Sequence, residues 1–234
     1  MELIKLFENE GIFINENQAA QFEKYAELLV SYNEKVNLTA ITEQSEIYLK
    51  HFLDSCLPLK MGVLTENATV IDVGCGGGFP SVPLKIAMPS LRFTLMDATR
   101  KKTEFLSMVV KELGLSDVEV INMRAEEAGR IPTLREQFDF SVARAVAPLN
   151  VLMEYCVPFV KVGGRFIALK GRNAEEEILE ARNAAGTLGV KASVKEEFIL
   201  PGTDNVRNIV VYEKIKPTDS RYPRKTGKPT KAPL

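Results

Sequence analysis

Asp72-Val73-Gly74-Cys75-Gly76-Gly77-Gly78-Phe79-Pro80 follows directly on Thr69-Val70-Ile71, and residues 69–73 have the length and β-branched composition of a buried strand. A strand that runs into a glycine cluster marks the carboxyl edge of an open α/β sheet, where such sheets bind ligands. Glycines there let the backbone turn tightly and let a ligand approach with no Cβ in the way. The dinucleotide pattern G-x-G-x-x-G would need glycine at position 79, where Phe79 stands, and the Walker pattern needs a Gly-Lys-Ser/Thr that is absent. What remains is an acid followed by Gly-x-Gly-x-Gly.

Downstream of the loop, short apolar runs alternate with helical segments. Residues 83–88 are helical in pattern and stop at Pro89, 91–96 form a second strand, and 99–113 form a helix that Gly114 ends. Further strands are expected at 118–123, 138–143 and 165–170, with an amphipathic helix at 175–185. Residues 191–200 and 206–215 make a closing hairpin around Pro201-Gly202-Thr203-Asp204-Asn205. The alternation implies right-handed crossovers and an α/β fold: a doubly wound, mostly parallel seven-stranded sheet with a C-terminal antiparallel hairpin. Asp97 ends the second strand 23 residues after Gly74, close to the roughly 20-residue interval at which an acid accepts hydrogen bonds from a ribose.

Upstream, residues 1–60 read as a helical cap. Asn15 can cap a helix whose apolar positions Phe22, Tyr25, Leu29, Tyr32 and Val36 share one face. A second helix after Thr42 carries Ile47, Phe52, Leu53 and Cys56 and should end near Pro58. The chain thus divides into a cap (1–60), a sheet domain (61–216) and a basic tail (217–234).

The 234 residues, 45% apolar and 26% charged, suffice to bury a core. No stretch approaches the roughly 18 consecutive apolar residues of a membrane span. The acid-bearing Met1–Glu8 start lacks the unbroken apolar run of a signal peptide. Cys56, Cys75 and Cys156 are an odd, widely spaced set without a C-x-x-C pair, so neither a disulfide framework nor a zinc site is expected, and a reducing cytoplasm fits. The net charge is −1, yet residues 214–234 hold seven Lys/Arg against Asp219 alone, which leaves a +6 tail on a −7 body. Such asymmetry suits a protein that touches a polyanion, although a solvated, partnerless end has the same composition.

The acid-x-Gly-x-Gly-x-Gly loop resembles the first motif of S-adenosylmethionine-dependent methyltransferases. Seven blocks then occur in order: Asn33-x3-Asn37-Leu38-Thr39-Ala40-Ile41, His51-x2-Asp54-Ser55, the loop itself, Arg124-Ala125-Glu126, Arg144-Ala145-Val146-Ala147, Leu169-Lys170-Gly171 and Tyr222-Pro223-Arg224-Lys225. Together they resemble the family that methylates N7 of one guanine in bacterial 16S ribosomal RNA, methyltransferase G or glucose-inhibited division protein B. The one small departure is Cys75, where a Ser or Ala would be expected, and its similar size should leave the loop intact.

The resemblance implies S-adenosylmethionine contacts at Gly74, Phe79, Ala125, Glu126 and Arg144, to which the ribose spacing adds Asp97. Arg144, at the end of the fourth strand, would also position the methyl acceptor, unless it simply pairs with a neighbouring acid. Guanine N7 carries a lone pair and no proton, so transfer needs alignment rather than a general base. His51 and Asp54, at i and i+3, are expected to pair structurally. Cys75 and Cys156 do not suit cytosine-C5 chemistry, and residues 143–148 lack the Asn/Asp-Pro-Pro-aromatic motif of adenine-N6 enzymes. RNA contacts are expected at Lys170, Arg172, Arg207, Arg221, Arg224 and Lys225, while Arg100-Lys101-Lys102 reads as a helix face. The implied partner is 16S rRNA within the small ribosomal subunit, bound by a monomer with neither metal nor membrane. Two other functions share the loop: a methyltransferase for another RNA or a small molecule, and a noncatalytic nucleotide-binding assembly factor. Under the first reading, removing 217–234 is expected to cost RNA binding and spare cofactor binding.

Overall fold

The computed structural model of the chain describes residues 2–234. Helices α1 (Glu2–Asn9), α2 (Glu16–Asn33), α3 (Gln44–Ile47) and α4 (Asp54–Lys60) come first, with one wide π turn over Tyr48–Leu53. Then follow β1 (Thr69–Val73), α5 (Ser81–Ala87), β2 (Arg92–Asp97), α6 (Arg100–Glu112), β3 (Val118–Asn122), α7 (Ala125–Ala128) and β4 (Phe138–Arg144). The chain closes with α8 (Leu149–Cys156), β5 (Val160–Lys170), α9 (Ala174–Glu180), α10 (Arg182–Leu188), β6 (Val190–Ile199), β7 (Val206–Lys214) and α11 (Lys228–Lys231). Among the described residues no helix is long and apolar enough to cross a membrane.

The seven strands form one sheet in the order β3-β2-β1-β4-β5-β7-β6. Pairing is parallel except that β7 runs antiparallel to both β5 and β6. The expected doubly wound sheet and closing hairpin are therefore present. Strand residues alternate between two cores: Val70, Leu95, Val142, Ile167 and Val211 face one, while Ile71, Met96, Ala143, Ala168 and Val210 face the other. Both faces are covered, which is why the strands read as continuous apolar runs. The order reverses between β1 and β4, so their carboxyl ends part and leave a crevice.

The N-terminal helices share the first of these cores. Asn15 caps α2 in a reciprocal capping box with Gln18, and Gln18 Nε2 donates to the Ile86 carbonyl at the end of α5 (2.7 Å). Phe22, Tyr25 and Leu29 are buried in full, in one core with Phe52, Cys75 and Phe79. The Tyr25 hydroxyl donates to the Gly77 carbonyl. At Gly78 (φ +101°) a Cβ would lie 2.6 Å from that hydroxyl and 2.8 Å from Val82. Glycine is needed at 78 because α2 packs there, a reason separate from ligand approach.

Several boundaries differ from expectation. The chain stays helical past Pro58 to Lys60, because Phe52 through Pro58 are all buried and packing outweighs the one backbone bond a proline lacks. Val36 lies beyond α2, which ends at Asn33. There the Asn33 side chain accepts from the Leu38 and Thr39 amides and donates to the Thr39 carbonyl. The helix expected at 175–185 is two, meeting at Ala181, and the second runs to a left-handed Gly189. β5 begins at Val160, with a register irregularity against β4 where Gly163 and Gly164 stand.

Candidate functional site

Among the cavities at the carboxyl ends of the strands, two are walled by consecutive residues of one tight turn. Val146 lines the first and Ala145 the second. Ala145 adopts φ +55°, a left-handed conformation that costs an L-residue roughly 1–2 kcal/mol. That turn presses Val146 onto the glycine loop: a Cβ at Gly74 (φ +76°) would lie 3.0 Å from Val146 Cγ2.

The first cavity is the crevice beside β1, about 180 Å³, with Gly74, Asp97, Ala125, Glu126, Val146 and Tyr155 in its lining. Four residues expected to hold the cofactor therefore meet in one place. The loop explains where Asp97 points. Its Oδ2 accepts from the Gly76 amide (3.0 Å) and its Oδ1 from the Thr99 amide (2.8 Å). Each oxygen keeps a lone pair that a vicinal hydroxyl could use. Glu126, buried at the opposite wall, accepts from the Gly227 amide at 3.0 Å. Asp72 lies beneath the turn, fully buried, with one oxygen on the Ser81 amide (3.1 Å) and the other without a partner among the described residues. Burial pushes its carboxyl up to about 7, against the lowering effect of the Ser81 hydrogen bonds. Cys75 and Cys156 are buried, and burial raises both thiols, so neither supplies a thiolate at neutral pH.

An adenosine-bearing sulfonium fits this donor set. The Asp97 carboxylate has lone pairs with which to accept from ribose hydroxyls, and the glycine turn leaves the backbone uncovered where a Cβ would otherwise fill the crevice.

Phe79 and Arg144 are not in that lining. Arg144 lines the second cavity, about 350 Å³, where it converges with His51, Asp54, Lys170, Glu177 and Arg207. Phe79 lies beneath it: the His51 ring stacks on Phe79 at 4.4 Å, and the Arg144 guanidinium carbon sits 4.7 Å from the same ring centroid. Asp54 Oδ2 accepts from Arg207 Nε (2.9 Å) and Arg144 Nη1 (3.3 Å). The wide turn of residues 48–53 also offers Arg144 Nη1 the Lys50 and His51 carbonyls, at 3.3 and 3.4 Å. Such turns frequently occur at functional sites.

The expected His51–Asp54 pair is not made, because Asp54 serves two partly buried arginines instead. His51 Nδ1 faces Arg144 Nη2 at 3.2 Å and Nε2 faces Thr39 Oγ1 at 2.6 Å. Arginine can only donate, so Nδ1 accepts and Nε2 carries the proton toward Thr39. Burial, followed by the Arg144 charge, lowers the His51 pKa to about 4, which keeps the ring neutral at physiological pH.

The residues expected to touch RNA divide sharply. Lys170 is buried and pairs with Glu177 (2.6 Å), Arg207 pairs with Asp54, Arg221 pairs with Asp219 (3.0 Å), and Arg224 pairs with Glu154 (2.6 Å). Arg172 and Lys225 are exposed and, among the described residues, have no ion-pair partner. Arg100 pairs with Glu104 along α6, as a helix face would. The tail is not an irregular appendage: it is docked on α7 and α8, and Arg224 is anchored on the fully buried Glu154.

A family model described as rRNA small subunit methyltransferase G (GidB) matches residues 18–206. This chain belongs to that family. A ribosomal RNA small subunit methyltransferase G from Alkaliphilus metalliredigens is 51% identical over 224 residues, covering 96% of this chain and 94% of the relative. One from an Exiguobacterium species is 47% identical over 233 residues, 100% of this chain and 98% of that one. Among solved structures, a SAM-dependent methyltransferase from Aquifex aeolicus superposes with a TM-score of 0.55 at 19% identity, over 78% of this chain and 97% of that one. M. jannaschii TYW2 in complex with AdoMet gives 0.52 at 19% identity, over 67% and 74%. These structural likenesses establish the fold.

Within this methyltransferase G family member, sequence reasoning passed over Val146 and Tyr155 in the first cavity and Thr39, Lys50 and Glu177 around the second. Thr39 and Val146 both lie in motif blocks, so each gave a signal without a role. Tyr155 and Glu177 gave none, since their partners are distant in the chain.

Proposed function

We propose that the protein transfers the methyl group of S-adenosylmethionine to N7 of a specific guanine in bacterial 16S ribosomal RNA of the small subunit. The observation that carries this reading is the pair of cavities: a glycine-walled crevice with a ribose-competent carboxylate, one residue's width from an arginine-lined pocket. The donor, when bound, supplies an electrophilic methyl on a positively charged sulfur. Asp97 accepts from its ribose, Ala125 and Glu126 bound the adenine side, and Gly74 leaves room for the rest.

Arg144 positions the acceptor. Its Nε–H and one Nη2–H have no acceptor among the described residues, so a guanine O6 or a phosphate can take them. N7 itself stays free to attack, and no group need remove a proton. Neutral His51 accepts from the guanidinium and helps hold it over Phe79. Arg172 and Lys225 offer phosphate contacts that weaken with salt. Phe79, in this scheme, acts on the donor only through the loop it ends. A ribosomal RNA substrate is met in the cytoplasm, and in this proposal the protein works there as a monomer.

The test is labelled S-adenosylmethionine incubated with unmethylated 30S subunits and, separately, with free 16S RNA. Label at guanine N7 in either supports the proposal. No incorporation, or label on another atom, refutes it.

A further inference from the structure

The C-terminal segment is bonded to the donor crevice itself. Glu154 on α8, with no exposed surface, accepts from the Arg224 amide (2.7 Å), from Arg224 Nε (2.9 Å) and from Arg224 Nη2 (2.6 Å). Three residues on, Gly227 (φ +76°) donates its amide to Glu126 Oε1 at 3.0 Å. Thr230 Oγ1 then lies 3.0 Å from the Tyr155 hydroxyl. Glu126 and Tyr155 both line the crevice. From the body, Arg130 donates to the Pro223 carbonyl (2.5 Å) and Arg135 to the Tyr222 carbonyl (2.7 Å). Pro223 packs so close to α7 that a Cβ at Gly129 would meet its Cγ at 2.9 Å.

We infer that residues 223–230 buttress the wall of the donor crevice from behind, and that Gly227 and Thr230 are positioning residues for Glu126 and Tyr155. The inference rests on the methyl-donor reading above. Its physical basis is the state of Glu126: a carboxylate only 6% exposed, whose one hydrogen bond among the described residues comes from Gly227. A buried carboxylate stripped of its donor is destabilised and turns elsewhere, which would deform the wall beside the adenine. Lys225, Lys228 and Lys231 are exposed on the same segment. Phosphate contact and donor binding therefore use different groups of one strap, and deleting it costs both.

The test is calorimetric titration of S-adenosylmethionine into the full chain, a chain ending at Tyr222, Gly227→Ala, and the double variant Lys228→Gln/Lys231→Gln. Nothing lies within 4 Å of a Cβ at Gly227, so Gly227→Ala adds only left-handed strain and should fold even where the truncated chain does not. Donor affinity should fall at least about tenfold on truncation and roughly threefold to tenfold in Gly227→Ala, since each tenfold step is about 1.4 kcal/mol and that strain is of similar size. The double lysine variant should keep donor affinity within about twofold while losing affinity for 16S RNA. Unchanged donor affinity in Gly227→Ala and in the truncated chain overturns the inference alone. Equal loss in the double lysine variant also overturns it, since charge rather than the wall would then matter. A full chain that binds no donor overturns the inference and the methyl-donor reading together.

Discussion

The donor crevice and the arginine pocket stand a residue apart and are built in opposite ways. The crevice is mostly backbone: a glycine turn, two amides on Asp97, one amide on Glu126. The pocket is mostly side chain: two arginines on one aspartate, a lysine on a glutamate, a histidine wedged between Phe79 and Thr39. The strand-to-glycine turn is set mostly by local sequence, and no ion pair is needed to hold its shape. A side-chain cluster in low dielectric depends on every charge having its partner.

That contrast is most easily broken at Asp54. Its side chain is 5% exposed and compensates Arg144 and Arg207, which are 13% and 25% exposed. Asp54→Ala should destabilise the fold by about 3 kcal/mol in denaturant titration and cut methylation at least about a hundredfold. Donor affinity should stay within a few-fold, and its disappearance would show that the two cavities are one unit.

Asp72 tests the crevice from beneath. Its folded pKa of about 7 lies above the carboxylate's ordinary 3.8. The folded state thus holds the proton more tightly, and this contribution is present below pH 4 and lost as pH rises through 7. Asp72→Asn should therefore raise the melting temperature at pH 8 and not at pH 4. His51 has the opposite sign: a folded pKa near 4 against 6.5 means stability falls as pH drops through that window, and His51→Gln should flatten the fall.

Gly78→Ala places a methyl against Tyr25 and Val82 at a left-handed φ and should cost about 2 kcal/mol. In a Tyr25→Phe background the cost should shrink, because the 2.6 Å neighbour is the hydroxyl itself. Arg144→Lys keeps the charge and loses the planar fork. A roughly tenfold fall in kcat with donor affinity unchanged would assign Arg144 to the acceptor, whereas weaker donor binding would return it to the crevice. The smallest effect is expected at exposed Arg172, where Arg172→Gln should reduce the salt slope of RNA binding by about one phosphate's worth and leave kcat alone.

The crevice was largely legible in the sequence because its backbone turn is encoded locally. The alternation of strands and helices, the turn at Gly74 and the acid at the end of β2 are local signals. Asp97 reaches Gly76 because parallel pairing of β1 and β2 sets their ends side by side. Most of the pocket's residues stand in the motif blocks, but their pairing was not legible. Asp54 finds Arg144 and Arg207 at separations of 90 and 153 residues, and no helical spacing announces that. Helix periodicity paired His51 with Asp54, a contact that the burial of two arginines displaced. The tail misled for a related reason: Arg224 looks as solvated as its lysine neighbours until Glu154, a lone acid in an apolar helical run, proves to be its anchor.

The Tyr25 hydroxyl on the Gly77 carbonyl, with Gly78 kept bare beneath it, makes α2 a fixture of the glycine turn. The usual practice of trimming N-terminal helices to isolate a catalytic core would here pull a rivet from the ligand cradle. Conversely, a transplant of this cradle into another sheet would have to carry α2 along as its backing plate.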